Sequence, residues 1–128
     1  VSNFSFNSLT FCGHPSMSTK YINPALGRFE PDLDVALHDA DVVMTLRIQY
    51  ERFEETLNLD LEEYKQAYEL TSERLEQAKG DAIVMHPGPV NYIEISESVY
   101  QCDQSVIRTQ IANGVAIRMA VLSRFLSS

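Results

Sequence analysis

The side chains best suited to bind a ligand lie in two short stretches, and the first of them covers residues 47–52. Arg47 and Gln49 are separated by one residue, so just past a strand they would project to the same side. A guanidinium group binds a carboxylate through two parallel hydrogen bonds, and an amide can bond an amine or a carboxylate. This pattern predicts a site for a carboxylate ligand, with Glu51 orienting Arg47. The alternative is that Arg47, Glu51 and Arg52 form a solvated surface network.

The second stretch is His86-Pro87-Gly88-Pro89, which follows a short apolar run. Neither proline has an N–H group to donate to a sheet, so a strand must end here. Gly88 tolerates unusual backbone angles, and the bond before Pro89 can be cis at modest cost. Carbonyl groups left without local partners can accept hydrogen bonds from a ligand's amide or amine. His86 is either a base or a structural hydrogen-bonding residue, and its place at a strand end favours the structural role.

The chain between and around these stretches alternates strands with helices. Strands are predicted at residues 8–12, 42–46 and 82–85, helices at 32–41, 60–70, 72–79 and from 103 or 105 to about 125, and loops at 16–31 and 47–58. Asp32 or Asp34 is available to cap the first helix. We expect strand 42–46 to be fully buried, and the Asn113-Gly114 pair to mark close packing of the last helix against a neighbouring backbone. The alternation predicts an α/β fold with a parallel sheet, whose ligands bind beyond the carboxyl ends of the strands.

Composition narrows the classes of function. The 128 residues suit one domain, and the formal net charge of −8, without a cluster of basic residues, argues against nucleic acid as a partner. No apolar run approaches the roughly 18 residues of a membrane span. Cys12 and Cys102 match no disulfide or metal pattern and are expected to be reduced thiols in a cytosolic protein. His14 and His38 lack partners at ligand spacing, so no metal site is predicted.

Three blocks of the sequence, in this order and spacing, resemble the carboxyl-terminal half of aspartate carbamoyltransferase. They are DVVMTLRIQYER (residues 41–52), MHPGPVN (85–91) and NGVAIRMAVL (113–122). The resemblance implies that residues 1–128 are part of the aspartate-binding domain, a three-layer α/β domain with a mainly parallel sheet flanked by helices. That domain is half of a two-domain enzyme that condenses carbamoyl phosphate with L-aspartate in pyrimidine biosynthesis. The resemblance also implies a cytoplasmic homotrimer without metal or cofactor, with regulatory or dihydroorotase subunits as further partners.

The same resemblance assigns roles to individual residues but makes none of them a catalytic acid, base or nucleophile. Arg47 would bind an aspartate carboxylate with Gln49 beside it. The substrate-binding backbone would come from the loop at Pro87, Gly88 and Pro89, which the family holds with a cis proline against the carbamoyl group. Glu51, Arg52 and His86 would support these groups. The segment from about residue 52 to 70 would close over the substrates, aligning the amine with the carbamoyl carbon.

The chain also departs from the family pattern. After the Pro/Gly loop, residues 91–95 read NYIEI, one residue shorter than the bacterial pattern Asn-Arg-Gly-Val-Glu-Ile and without its arginine. The carbamoyl-phosphate domain, with its Ser-Thr-Arg-Thr-Arg motif, is absent, so the chain alone is not expected to be active. Three explanations stay open: a piece of an active enzyme, a first domain carried on a separate chain, or an inactive relative that binds or scaffolds. The ornithine enzyme is disfavoured, because its loop has a cysteine where this chain has Gly88.

Overall fold

The computed structural model describes residues 8–15, 25–48 and 60–126. These ranges contain four short strands, in parallel pairs, and five helices, which confirms the α/β class. The strands are β1 (Thr10–Cys12), β2 (Arg28–Glu30), β3 (Val42–Met44) and β4 (Ile83–Met85). The helices are α1 (Leu33–Leu37), α2 (Leu61–Tyr68), α3 (Ser72–Leu75), α4 (Glu97–Gln101) and α5 (Ile107–Leu126).

The strands form two parallel pairs, β1 with β2 and β3 with β4. In the second pair Val43 lies opposite Val84, and helices α2 and α3 form the crossover between the two strands. The other edge of β4 is also occupied, because the backbone of Val84 donates to the carbonyl of Gln104 and accepts from the N–H of Val106 (both 2.9 Å). Strand β4 is therefore enclosed on both sides, and the loop that follows it starts from a fixed position.

The hydrophobic core surrounds β4. Val84, Ile95, Val99 and Ile107 are fully buried, and burying a side chain of this size stabilises a fold by roughly 1.5–3 kcal/mol. The rest of the buried apolar cluster comes from β3, from the helices and from the turns between them: Leu37, Val43, Leu70, Leu75, Ala78 and Ala82. This core joins α4 and the start of α5 to the strand that carries the Pro/Gly loop.

Helix α1 shows how the sequence sets its bounds. Of the two predicted caps it is Asp32 that caps the helix, because its Oδ1 accepts from the backbone N–H of Asp34 at 2.9 Å. The helix ends at Leu37, earlier than predicted, and Asp39 adopts a left-handed backbone with φ of 61°. That conformation is incompatible with a continuing helix, so the chain turns into β3 instead.

Two predictions about the strands were wrong. Residues 28–30 lie in the predicted loop at 16–31 but form β2, because β1 supplies a parallel partner 18 residues earlier. Strand 42–46 was expected to be buried on both faces, yet it ends at Met44, and Val42 and Met44 are about half exposed (48% and 50%) while Val43 is 9% exposed. The described part of this strand pair therefore covers the core with one face only.

Helix α5 also differs from its prediction, beginning at Ile107 rather than at 103 or 105. Beyond its buried first residue the large apolar side chains are exposed, from 38% at Ile111 to 82% at Leu126. Among the described residues, the atoms nearest to a Cβ added at Gly114 belong to the Arg118 side chain, with Nη1 at 3.3 Å, rather than to a neighbouring backbone. The described residues therefore do not provide the close packing predicted at Asn113-Gly114. None of the helices in the described ranges is long and apolar enough to cross a membrane.

Candidate functional site

The ends of β3 and β4 meet at one edge of their pair and bring the two predicted stretches together. The backbone N–H of Thr45 donates to the carbonyl of Met85 at 3.0 Å, which continues the pairing one residue past β3. Further on, Asn91 Nδ2 donates to the carbonyl of Ile48 at 3.2 Å. These two bonds fix the segment that contains Arg47 beside the loop of residues 86–91.

Arg47 is exposed, between the exposed Leu46 and the buried Ile48. Its guanidinium group forms no ion pair with any residue that the structure describes. A cation in this position is available for a carboxylate from outside the domain. Gln49, Glu51 and Arg52 lie outside the described residues, so their roles remain predictions.

The loop of residues 86–89 presents acceptors and no donors. The N–H of His86 donates to Gln110 Oε1 and that of Gly88 donates to His86 Nδ1, both at 2.8 Å, while the two prolines have no N–H. No described residue donates to the carbonyl oxygens of this loop. A ligand held here must therefore bring hydrogen-bond donors, such as the N–H groups of an amide. The Gly88–Pro89 bond is cis, as the sequence allowed, and Gly88 has φ of +71°, which a residue with a side chain rarely adopts.

His86 is fully buried, and both of its ring nitrogens are engaged. Because Nδ1 accepts from the Gly88 N–H, the ring proton lies on Nε2, which donates to Glu94 Oε1 at 2.8 Å. Glu94 is itself only 4% exposed. A ring with no free lone pair and no solvent access is poorly suited to take a proton from a ligand, so the geometry favours the structural role.

Sequence reasoning missed three residues that hold this loop: Asn91, Glu94 and Gln110. Asn91 is engaged twice, because its Oδ1 also accepts from the backbone N–H of Ile93 at 3.2 Å. An asparagine in a short loop after a proline is the available signal for such a turn. Nothing in the sequence pairs Gln110, 24 residues downstream, with the backbone of His86.

Metal chemistry has no candidate in the described residues, where no three His, Cys, Asp or Glu side chains are grouped as ligands. Cys12 and Cys102 are both free thiols. The chemistry that this edge offers is therefore a cation for a carboxylate, next to carbonyl oxygens for N–H donors.

The family model of the aspartate/ornithine carbamoyltransferase Asp/Orn binding domain matches residues 18–125. The chain belongs to this family. The resemblance carried by the three sequence blocks is thereby confirmed, and the matched region contains both strand ends. Among curated relatives, the chain is 53% identical over 92 residues to the aspartate carbamoyltransferase catalytic subunit of Citrifermentans bemidjiense, covering 71% of this chain and 30% of that subunit. It is 51% identical over 96 residues to the corresponding subunit of Xanthomonas oryzae, covering 74% and 30%.

Solved structures agree in fold. The aspartate transcarbamoylase of Trypanosoma cruzi in complex with carbamoyl phosphate aligns with a TM-score of 0.62 and 33% identity, over 75% of this chain and 30% of that one. The ornithine carbamoyltransferase of Pyrococcus furiosus aligns with a TM-score of 0.65 over 76% and 31%, at 24% identity, which supports the fold alone. The chain thus spans about 30% of the length of the curated relatives it matches.

Proposed function

We propose that this chain is the aspartate-binding domain of an aspartate carbamoyltransferase, which joins carbamoyl phosphate and L-aspartate into N-carbamoyl-L-aspartate and phosphate. The observation that carries the proposal is the Asn91–Ile48 hydrogen bond, which sets a cationic strand end beside a loop that offers only acceptors. L-Aspartate supplies the carboxylates for Arg47, and the carbamoyl group supplies the N–H donors for the carbonyls of Pro87, Gly88 or Pro89. The two relatives described above, each more than 50% identical to this chain, carry the name of this enzyme's catalytic subunit.

The proposed chemistry rests on positioning. Arg47, with Gln49 beside it, holds aspartate so that its neutral amine faces the carbamoyl carbon, which the loop carbonyls orient through the carbamoyl NH₂ group. The amine forms the new C–N bond while the bond from the carbamoyl carbon to the phosphate oxygen breaks, and the departing phosphate takes up the proton that the amine loses. Holding the two reactants in this geometry can supply several kcal/mol of the barrier, so no covalent intermediate on the domain is needed.

The proposal extends to the whole enzyme. The chain spans about 30% of its relatives, so the carbamoyl-phosphate domain and the groups that receive the phosphate would lie in the remainder of a longer protein. We place that protein in the cytoplasm as a homotrimer acting in pyrimidine biosynthesis, with regulatory or dihydroorotase subunits as further partners. Identity above 50% to named catalytic subunits favours this role over that of an inactive scaffold.

The test is an activity assay on the full-length protein that contains this chain. Radiolabelled aspartate and carbamoyl phosphate should give N-carbamoyl-L-aspartate, whereas ornithine at the same concentration should give little product. The chain of residues 1–128 should be inactive under the same conditions. A full-length protein that is folded but inactive, or one that prefers ornithine, would contradict the proposal. Light scattering after size exclusion measures the oligomeric state.

A further inference from the structure

A buried chain of hydrogen bonds runs from Glu94 through His86 to the backbone of Gly88. The His86 ring is fully buried and Glu94 is 4% exposed, and two bonds of 2.8 Å link Glu94 Oε1 to Nε2 and Nδ1 to the Gly88 N–H. The second carboxylate oxygen, Oε2, is buried without a hydrogen-bond partner among the described residues. Burying a carboxylate with one oxygen unpaired is costly, and an apolar pair would fill the same space at less cost. The pair therefore needs a reason beyond packing.

The reason lies in the tautomer that the carboxylate selects. A carboxylate accepts and cannot donate, so it holds the imidazole proton on Nε2 and leaves the lone pair of Nδ1 for the Gly88 N–H. With the proton on Nδ1 instead, two donors would face each other and the Gly88 N–H would have to turn away. Glu94 thus decides the direction of a peptide group that it does not touch.

The direction of that N–H also sets the direction of a carbonyl. The Pro87–Gly88 peptide is trans, since the cis bond in this loop is Gly88–Pro89. In a trans peptide the N–H and C=O groups point in opposite directions. Because the Gly88 N–H points at the buried ring, the Pro87 carbonyl points away from it, and Pro87 is exposed.

We propose that Glu94 and His86 are positioning residues, which keep the Pro87 carbonyl aimed out of the core so that the loop offers an acceptor to the N–H groups of the ligand. The ligand's identity as a carbamoyl group rests on the function proposed above, but the positioning does not. Loss of the pair would let the peptide turn and present a donor where an acceptor is needed.

The kinetic test compares variants of the full-length protein. The double variant His86→Phe with Glu94→Leu replaces the pair with apolar groups of similar size, so its thermal midpoint should be equal to or above that of the parent. Its KM for carbamoyl phosphate should rise about tenfold, the effect of losing one ligand hydrogen bond, with a smaller change in the KM for aspartate. The matched control is Glu94→Gln, whose amide oxygen can still accept from Nε2–H, and its KM values should stay within about twofold of the parent.

A second measurement needs neither substrate nor activity. In the full-length protein labelled with ¹⁵N-histidine, long-range ¹H–¹⁵N spectra should show the His86 signal, assigned by its loss in His86→Asn, with the proton on Nε2. In Glu94→Leu the second tautomer should appear. A proton on Nδ1 in the parent would overturn the proposal, as would a folded double variant with parental KM values. If the full-length protein is inactive but the ring shows the Nε2–H tautomer and loses it in Glu94→Leu, the proposed function fails and the positioning pair stands.

Discussion

Asn91 and Ile48 join the two halves of the candidate site through one hydrogen bond, from Asn91 Nδ2 to the carbonyl oxygen of Ile48 at 3.2 Å. The partners lie 43 residues apart in the chain, in the segments that follow the neighbouring strands β3 and β4. The bond therefore fixes the distance between the segment that carries Arg47 and the loop that carries Gly88.

Replacing Asn91 by aspartate should loosen this connection while keeping the local turn. The carboxylate still accepts from the Ile93 N–H, but it cannot donate to Ile48 and instead repels that carbonyl. We expect the free energy of unfolding to fall by about 1 kcal/mol and the KM of the full-length enzyme for aspartate to rise. Urea denaturation and steady-state kinetics measure the two effects. Asn113→Asp is the charge-matched control, because Asn113 is exposed on α5, and its stability change should stay within about 0.5 kcal/mol.

Arg47 should be needed for aspartate binding in particular. Arg47→Ala removes a charge-assisted pair with a carboxylate, so the KM for aspartate should rise by roughly 10- to 100-fold. Arg47→Lys keeps the charge but loses the bidentate geometry, so its KM for aspartate should lie between those of Arg47→Ala and the parent. Arg28→Ala, in the other strand pair, serves as the control for loss of a surface cation. Unchanged aspartate saturation in Arg47→Ala would refute the assignment.

Gly88 should not tolerate alanine. Its φ of +71° is unfavourable for a residue with a Cβ, and the added carbon would lie 2.9 Å from Cδ1 of Ile111. We expect Gly88→Ala to lower the free energy of unfolding by about 2 kcal/mol, from backbone strain and the clash together. Adding Ile111→Val removes Cδ1, so the double variant should regain only the part of the lost stability that is due to the clash. Full recovery in the double variant would show that the backbone angle costs nothing.

Gly114 provides the opposite control in the same chain. It lies inside α5 with a helical backbone, and the nearest atom to an added Cβ, Arg118 Nη1 at 3.3 Å, is the end of a flexible side chain. Gly114→Ala should therefore raise the free energy of unfolding by up to about 1 kcal/mol, because alanine is the better helix former. Urea denaturation of both alanine variants separates the effect of position from that of the residue type. A lower free energy of unfolding in Gly114→Ala would contradict this prediction and would indicate close packing around Gly114 that the described residues do not provide.

The sequence was sufficient where local chemistry decides the structure. The end of β4 before His86 follows from the two prolines, and Asp32 is one of the two residues that could cap α1. The residues before and at Pro89 allowed a cis bond, and the family resemblance implied it. The proximity of the two strand ends follows from the rule that parallel strands end at the same edge. Family membership followed from the blocks around these same features.

The sequence was insufficient where a distant residue decides. Strand β2 exists because Phe29 pairs with Phe11, and three residues alone carry no period that would reveal it. The exposure of Val42 and Met44 depends on what covers that face, which their own apolar character does not specify. The Glu94–His86–Gly88 chain likewise joins residues whose side-chain types allow many other partners.

Cys12 should react slowly with thiol reagents although the residue is exposed. The pKa of its thiol is raised from 9.0 to about 11. The main cause is partial desolvation of the sulfur by the atoms around it, and the negative charges of Glu30 and Asp32 add to it. Only the thiolate reacts, so at pH 8 its alkylation should be roughly 100-fold slower than that of an ordinary thiol and should increase with pH up to about 11. The rate is best followed in Cys102→Ser, with the same chain unfolded in urea as the control. In Glu30→Gln the rising part of the profile should move to lower pH, and a rate that levels off near pH 9 in the folded parent would contradict the raised pKa.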